Sequence, residues 1–413
     1  MDTSVLDPLP PAREIPAAFA ASVRSWWYVG EKQSAISEDR RLPFYRPQGI
    51  TSTPYYHSPV IAYSSRVNLD SPKHFLNTLS MISTSPSPNA PPPAVVLHGY
   101  GAGLGFFYQN FPALAKWAGH CGSSVYALDW LGMGRSARVP FTIKAKRDDI
   151  SGRVAEAESF FVDSLEAWRK KMGLDKMTLV GHSLGAYFST AYALKYPTRV
   201  NKLILLSPAG VSRDPNSSIP SREVTDNRDT NSNGTAEPAT QDKVDQIREK
   251  QLAEKKQESR TRRLLTYLWE EGWSPFQVVR STFVWGPMLI GKYSSRRFMG
   301  LSEEDTRDIH DYITNITLAK GSGEYCISHI LAPGAHARLP LVDRISALKI
   351  PITFVYGDDD WMDPEGGRQA VENLRQAGNG KGRMYIINYA GHHVYLDNVK
   401  AVNDLLVKEL DRQ

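Results

Sequence analysis

A serine stands between two glycines in the pentapeptide Gly-His-Ser-Leu-Gly at positions 181–185. An apolar run at 177–180, typical of a buried strand, comes directly before it, and a helix-compatible run at 186–194 follows. Between a strand and a helix, this pattern places the serine on a tight, strained turn at the carboxyl end of a sheet. The pentapeptide alone could be a plain glycine turn, but with these flanks we predict that Ser183 is a nucleophile.

A second glycine-rich segment, His-Gly-Tyr-Gly-Ala-Gly at 98–103, follows another buried-strand run at 94–97. A serine that attacks an ester carbonyl builds negative charge on oxygen, so hydrogen-bond donors must already be in place. The usual donors behind such a serine are the N–H of the next residue and one N–H from the loop after the third strand. These positions are Leu184 and Tyr100, which we predict to form an oxyanion hole. The alternative is a glycine turn that merely links strand to helix.

The serine needs a general base, and two adjacent histidines near the C-terminus are the candidates. A strand-like run at 384–387 leads to Ala-Gly-His-His at 390–393. The expected chain order is serine, acid, histidine. Because the base usually follows directly after an Ala-Gly pair, we predict His392 rather than His393.

The acid that orients the base must come from the segment Gly-Asp-Asp-Asp-Trp-Met-Asp at 357–363, which also follows a strand-like run. Asp360 has the usual spacing from the glycine that ends the strand and is our prediction. Asp363, one loop turn later, is the main rival. The other two carboxylates are better explained as solvated or turn-forming groups. This Ser-Asp-His chemistry requires no cofactor and no metal.

Strand-like and helix-like segments alternate along most of the chain, as in an α/β protein. The strand-like runs are at 94–97, 124–129, 177–180, 200–206, 352–356 and 384–387, and a helical apolar stripe extends over 154–172. This alternation predicts a doubly wound, mostly parallel sheet with helices on both faces. Together with the Gly-x-Ser-x-Gly turn and the long insertion that interrupts the alternation, it is typical of the α/β-hydrolase fold with a helical cap insertion.

The composition sets the expected domain boundaries. We predict a disordered N-terminus at 1–21, a first core segment at 22–210, a cap insertion at 211–347 and a second core segment at 348–413. Within the insertion, 212–262 is polar and highly charged, so it is predicted to be disordered or an exposed helix.

The remainder of the insertion is rich in aromatic residues, as expected of a cap over an apolar substrate. These residues are Trp269, Trp273, Phe276, Phe283, Trp285 and Tyr293. They could cover a long acyl chain and exclude water, or they could form the small core of the cap itself. Trp26 and Trp27, in an amphipathic segment at 22–42, could anchor the chain on a lipid surface or pack on the core.

Charge and hydropathy exclude several classes of protein. The net charge of +5 is modest and gives no case for nucleic acid as a partner. No run of 18 apolar residues and no secretory leader are visible, so we expect an intracellular protein without a transmembrane helix. Two cysteines, Cys121 and Cys326, are too few for a disulfide framework.

Several longer motifs indicate which family within this fold the chain resembles. They are Ser-Trp-Trp at 25–27, the glycine-rich segment at 98–103, Leu-Asp-Trp-Leu-Gly-Met-Gly-Arg-Ser at 128–136, the pentapeptide at 181–185, Gly-Trp-Ser-Pro-Phe at 272–276, the acidic segment at 356–363, Gly391-His392 and Asp397. In these motifs the chain resembles α/β-hydrolase-domain lipid enzymes, which include N-acyl phospholipid lipases, fungal cardiolipin deacylases and the lipid-droplet co-activator of triacylglycerol lipase.

The resemblance implies a serine hydrolase that cleaves acyl esters of phospholipids, including cardiolipin. It also implies a peripheral location on a mitochondrial membrane or lipid droplet. His392 and Asp397 form an H-x4-D pattern that the family shares with glycerolipid acyltransferases, so transfer of an acyl group to lysophosphatidic acid is an alternative. A small-ester carboxylesterase and a non-catalytic lipid-surface scaffold are further alternatives. One relative lacks the nucleophilic serine, whereas this chain keeps Ser183, which favours an enzyme.

Overall fold

Nine strands form one sheet in the computed structural model, which describes residues 9–42, 60–71, 73–213, 235–253, 260–333 and 335–412. The strands are β1 (Val60–Asn68), β2 (Phe75–Ser83), β3 (Ala94–Leu97), β4 (Ser124–Leu128), β5 (Met177–His182), β6 (Val200–Leu206), β7 (Ala236–Pro238), β8 (Ile352–Gly357) and β9 (Gly382–Ile387). They lie in the order β1-β2-β4-β3-β5-β6-β8-β9-β7. The six central strands pair in parallel, and β1, β2 and β7 pair antiparallel at the edges. The predicted doubly wound, mostly parallel sheet is confirmed.

The central strands are apolar along their whole length because both faces of the sheet are covered. In β3, Val95 and Leu97 belong to one hydrophobic core, and the alternate residues Ala94 and Val96 belong to the other. Helices supply the other half of each core. From the helical stripe predicted near 154–172, Phe161, for example, packs into the first core.

Fourteen α-helices surround this sheet in the described residues. They are α1 (Phe19–Trp27), α2 (Glu31–Arg41), α3 (Phe111–Cys121), α4 (Ile150–Lys171), α5 (Leu184–Lys195), α6 (Gln241–Ala253), α7 (Arg260–Glu270), α8 (Pro275–Ser281), α9 (Gly286–Arg297), α10 (Glu303–Leu318), α11 (Ile327–Ile330), α12 (Pro364–Gln376), α13 (Val394–Asp397) and α14 (Val399–Asp411). None of the helices in these described ranges has the length and apolar character needed to cross a bilayer.

The N-terminal region is more ordered than its composition predicts. Helix α1 begins at Phe19, inside the segment predicted to be disordered, while residues 1–8 lie outside the described part. Arg13 donates from Nε to the buried carboxylate of Asp311, 3.0 Å away, and from Nη1 to the carbonyl of Ser25 at 3.1 Å. These long-range contacts hold residues 9–21 on the protein, so the prediction of disorder over 1–21 is wrong for that part.

The polar insertion also contributes to the core domain. Strand β7 extends the sheet by pairing with β9, and helix α6 buries Val244 and Ile247. Residues 214–234 and 254–259 lie outside the described part. Within the region 212–262, predicted to be disordered or an exposed helix, the described residues include the strand β7 and the helix α6, which is largely exposed but buries Val244 and Ile247. A short edge strand held by backbone hydrogen bonds leaves little trace in composition.

Candidate active site

Ser183 occupies a strained turn between β5 and α5. Its backbone has φ 51° and ψ −118°, outside the conformations that a side-chain-bearing residue usually adopts. A Cβ on Gly181 would lie 2.7 Å from Ala186 Cα, and one on Gly185 would lie 2.4 Å from the carbonyl oxygen of His98. Only glycine fits at both positions, so the two glycines allow the turn to close against its own helix and against the end of β3.

The structure brings together three of the predicted residues from the carboxyl ends of three strands. His392 Nε2 lies 3.0 Å from Ser183 Oγ, and His392 Nδ1 lies 3.1 Å from Asp360 Oδ1. All three residues are buried. In this arrangement the serine hydroxyl can give its proton to the imidazole of His392, and the carboxylate of Asp360 can orient the imidazole ring.

Asp363, the rival acid, is placed elsewhere. It is the N-cap of α12, where its Oδ1 accepts the N–H of Glu365 at 3.0 Å, and Ser212 donates to its Oδ2 at 3.3 Å. Asp360 Oδ1, by contrast, also accepts the N–H of Met362 at 3.0 Å, which holds that oxygen toward His392. The geometry therefore assigns the imidazole contact to Asp360 and a helix-capping role to Asp363.

Two further contacts hold the loop that carries His392. His182 donates from Nε2 to the carbonyl of His392 at 3.0 Å. Asp397 accepts the N–H of Gly391 at 3.0 Å and forms a buried ion pair with Arg297 of α9 at 2.8 Å. The role of His182 is absent from the sequence analysis, although its place beside the serine is a signal that could have identified it.

The two residues of the H-x4-D pattern, His392 and Asp397, have separate hydrogen-bond partners in this structure. Both ring nitrogens of His392 contact other residues, Ser183 and Asp360. The carboxylate of Asp397 binds the backbone beside His392 and the guanidinium of Arg297. Asp397 therefore supports the loop of His392, and the ring is oriented by Asp360.

The adjacent histidine is unsuited to be the base. The ring of His393 stacks on Phe106, with centroids 6.1 Å apart. Burial lowers the pKa of both His393 and His182 well below the usual value, and the nearby Arg297 guanidinium lowers the pKa of His393 further. Both are therefore weak bases, which agrees with the choice of His392.

Ser183 and His392 open into a cavity of about 450 Å³ beneath the cap. Most of the lining is apolar, and the cap contributes residues from α7 to α11, including Trp269, Phe276 and Tyr293. Trp273, Phe283 and Trp285 are instead partly exposed at the surface. Of the six aromatic residues predicted for the cap, three therefore line the cavity and three lie at the protein surface. Across the described ranges, no cluster of three or more His, Cys, Asp or Glu is placed to hold a metal ion.

The two predicted oxyanion donors border the same cavity. Leu184 is the first residue of α5, and Tyr100 follows Gly99 in the loop after β3. A Cβ on Gly99 would lie 2.8 Å from Ser183 Cβ, so this loop passes directly against the serine. Tyr100 is partly buried and packs against Phe276 of the cap, with ring centroids 5.2 Å apart. Both predicted donor residues therefore lie beside the serine at the cavity.

Gln251 of α6 is a site residue that the sequence analysis missed. Its buried side-chain amide donates to the carbonyls of Asp360 at 2.8 Å and Met362 at 3.2 Å, so it spans the loop that presents the acid. Beside it, Lys250 pairs with Asp359 at 2.5 Å. The surrounding sequence is so polar that it indicates an exposed helix and conceals this contact.

Replacing Gln251 with Ala should lower kcat about tenfold with little change in KM, because a displaced acid loop misaligns His392 without altering the cavity. Steady-state kinetics on a soluble ester measures this effect. Lys250→Ala is the matched control. Lys250 is exposed and pairs with Asp359 rather than with the carbonyls of Asp360 and Met362, so this variant should retain wild-type kcat. An unchanged kcat in Gln251→Ala, with only a lower melting temperature, would make the contact purely structural.

The sheet, the serine turn and the cap define an α/β hydrolase. The chain belongs to the α/β hydrolase fold family, whose model matches residues 92–399. Within it, the chain belongs to a subfamily of lipid hydrolases and acyltransferases. It is 31% identical to 1-acylglycerol-3-phosphate O-acyltransferase of Arabidopsis thaliana, over 90% of this chain and 79% of that protein. It is 30% identical to (lyso)-N-acylphosphatidylethanolamine lipase of Homo sapiens, over 81% of this chain and 84% of that protein.

Solved structures agree on the fold. Carboxylesterase CesB from Bacillus subtilis superposes with a TM-score of 0.50 at 14% identity, covering 92% of this chain and 98% of that one. Proline iminopeptidase from Mycobacterium smegmatis gives a TM-score of 0.50 at 16% identity, covering 84% and 97%. At such low identity these similarities establish the architecture alone.

Proposed function

We propose that this protein is a serine hydrolase that releases fatty acyl groups from glycerophospholipids. The observation that carries the proposal is the line of contacts Ser183–His392–Asp360, which opens into an apolar cavity under the cap. The relationship to a (lyso)-N-acylphosphatidylethanolamine lipase supports a lipid ester as the substrate.

In the first step, Ser183 Oγ attacks the acyl carbonyl carbon while His392 Nε2 takes the hydroxyl proton. The negatively charged carbonyl oxygen accepts hydrogen bonds from the N–H groups of Leu184 and Tyr100. The Leu184 N–H lies at the N-terminus of α5, where the helix dipole also favours negative charge. The intermediate then collapses, and His392 gives its proton to the leaving lysophospholipid oxygen.

In the second step, water attacks the acyl-enzyme. His392 takes a proton from the water, and the fatty acid leaves as the proton returns to Ser183. The carboxylate of Asp360 holds Nδ1–H of His392 throughout, which keeps Nε2 free to accept a proton and stabilises the imidazolium. No step requires a metal ion or an organic cofactor.

Acyl transfer is the second candidate, and the acyltransferase name of the Arabidopsis relative favours it. A lysophosphatidate hydroxyl in place of water would take the acyl group from Ser183. We propose this route rather than a separate His392–Asp397 pair, because the contacts of His392 are made with Ser183 and Asp360.

A lipid surface is the proposed site of action. Trp27 is 77% exposed, and Phe283 and Trp285 are exposed beside α1, where Phe19 contacts Trp285 at 4.6 Å between ring centroids. Leu289 is partly exposed and also lines the cavity. An apolar surface of this kind supports peripheral binding next to the cavity entrance, on a membrane or a lipid droplet.

The test is to incubate wild-type and Ser183→Ala protein with vesicles of phosphatidylcholine, phosphatidylethanolamine, N-acylphosphatidylethanolamine and cardiolipin, and to follow the products by mass spectrometry. We expect fatty acid and lysolipid to appear only with the wild type. Parallel samples with added lysophosphatidate, with and without acyl-CoA, report acyl transfer.

Each other outcome supports a different function. Phosphatidate formed by Ser183→Ala protein would support an acyl transfer centred on His392 and Asp397. Turnover of short soluble esters alone would support a carboxylesterase. No turnover of any ester would favour a non-catalytic lipid-surface scaffold.

A further inference from the structure

A second cavity of about 610 Å³ lies on the other side of helix α10 from the catalytic cavity. The two cavities have no lining residue in common. Ile313 and Thr317 of α10 line the catalytic cavity, whereas Asn315 and Leu318 line the second. One helix thus forms a wall of both spaces, and the second is a separate compartment.

The ionisable side chains that line this second cavity are mainly basic. Among the described lining residues they are Lys73, His74, Arg135, Arg138 and Lys320, against one carboxylate, Glu31. Glu31 pairs with Arg66, which is not part of the lining, so its charge is already partly neutralised. A concave space lined mainly by one sign of charge focuses the electrostatic potential and attracts counter-ions.

Several of these charges have no carboxylate partner. In the described part of the chain, neither Lys73 nor Lys320 is within ion-pair distance of an acid, and both are exposed. Arg138 is half-buried and donates to three backbone carbonyls, those of Gly132 at 2.9 Å, Gly134 at 2.6 Å and Lys320 at 3.4 Å. Among the described residues no carboxylate forms a salt bridge with Arg138, and a bound anion would offset the cost of burying its charge.

The walls around Arg138 are preformed. Gly323 N–H donates to the carbonyl of Gly132 at 3.2 Å, and the hydroxyl of Ser322 binds the carbonyl of Val139. A Cβ on Gly132 would lie 2.3 Å from the nitrogen of Gly323, so the two loops touch. Arg135, three residues before Arg138, is held by the buried carboxylate of Glu38 at 2.6 Å. A ligand would therefore meet two guanidinium groups, those of Arg135 and Arg138, already held in place, and ordering them would cost little.

We propose that this cavity binds a phosphate ester that carries an apolar group. The positive charges suit a phosphate, which carries more than one negative charge and several acceptor oxygens. Phe75, Val139 and Leu318 in the same lining provide apolar surface for the remainder of the molecule. The site is independent of the hydrolysis proposed for Ser183, since it shares no residue with that cavity.

The test is calorimetric titration of the full-length protein with three soluble probes: inorganic phosphate, a short-chain lysophosphatidate and coenzyme A. The variant Lys73→Glu/Lys320→Glu reverses two exposed charges of the cavity. Lys116→Glu/Lys292→Glu reverses two exposed charges on α3 and α9, outside the cavity, and is the matched control for the change in net charge. Thermal unfolding and turnover of a soluble ester should be unchanged in both variants, because neither alters the catalytic cavity.

We expect the organic phosphates to bind the wild type and the Lys116→Glu/Lys292→Glu protein equally. They should bind the Lys73→Glu/Lys320→Glu protein about tenfold more weakly or worse, and binding should also weaken as salt is added. Tighter binding of lysophosphatidate identifies a lipid headgroup as the source of the phosphate, and tighter binding of coenzyme A identifies a nucleotide. Equal affinity in all three proteins, or no binding of any probe, would overturn the proposal. So would binding of inorganic phosphate alone, because the apolar lining would then have no role.

Discussion

Replacing Ser183 with Ala should reduce kcat on an acyl ester by about 10⁴-fold or more, because the variant has no nucleophile to form the acyl-enzyme. The remaining activity would come from the cavity and the oxyanion donors acting on a water molecule. Substrate binding should change little, since the apolar lining of the cavity is untouched. The measurement is burst and steady-state kinetics with a chromogenic ester, with covalent labelling by a fluorophosphonate as an independent readout.

The matched control for this variant is Ser189→Ala. Ser189 lies on α5, is fully buried and donates to the carbonyl of Gly185 at 2.7 Å, so it shares the helix but not the reaction space. Its loss should cost about 1 kcal/mol of stability and leave kcat near that of the wild type. If Ser183→Ala kept full activity, the proposed nucleophile would be refuted, and the search would pass to another residue of the cavity.

The second large effect concerns the acid. Asp360→Asn should lower kcat by about 10⁴-fold, because a neutral amide neither fixes the tautomer of His392 nor stabilises the imidazolium. The fold should persist, since Asn can still accept the N–H of Met362 through its side-chain oxygen. Circular dichroism and thermal unfolding would verify the fold, and steady-state kinetics would give the loss of kcat.

Asp363→Asn is the comparison that separates the two candidate acids. Asn is as good an N-cap as Asp, so α12 should retain its first turn, and stability should change by no more than about 1 kcal/mol. We expect kcat to remain within about twofold of the wild type, because Asp363 has its contacts with Glu365 and Ser212 rather than with the imidazole. A large loss of kcat in Asp363→Asn, with Asp360→Asn active, would reverse the assignment.

Local sequence features anticipated much of the fold. The central strands could be recognised because strands covered on both faces are continuously apolar, and β6 at 200–206 has the predicted bounds. The turn at Ser183 could be recognised because it needs glycines at fixed offsets from the serine. The contacts that hold the N-terminal segment and the insertion on the sheet were harder to predict from the sequence. Arg13 and Gln251 are polar residues that are held in place by Asp311 and Asp360, which lie about 300 and 110 positions away in the chain.

The sequence by itself determined the family, the alternating α/β architecture and the candidate catalytic residues, because those depend on short motifs and on the periodicity of apolar residues. Only the tertiary structure decided which carboxylate contacts His392 and what Asp397 binds. It also decided that Gln251 of α6 spans the loop that carries Asp360, and that α10 separates the catalytic cavity from a second cavity lined in part by basic side chains. These features arise where segments that are distant in the chain meet at the edge of the sheet. The spacing of residues along the chain does not specify which side chains there come within about 3 Å of one another, which is the distance that a hydrogen bond requires.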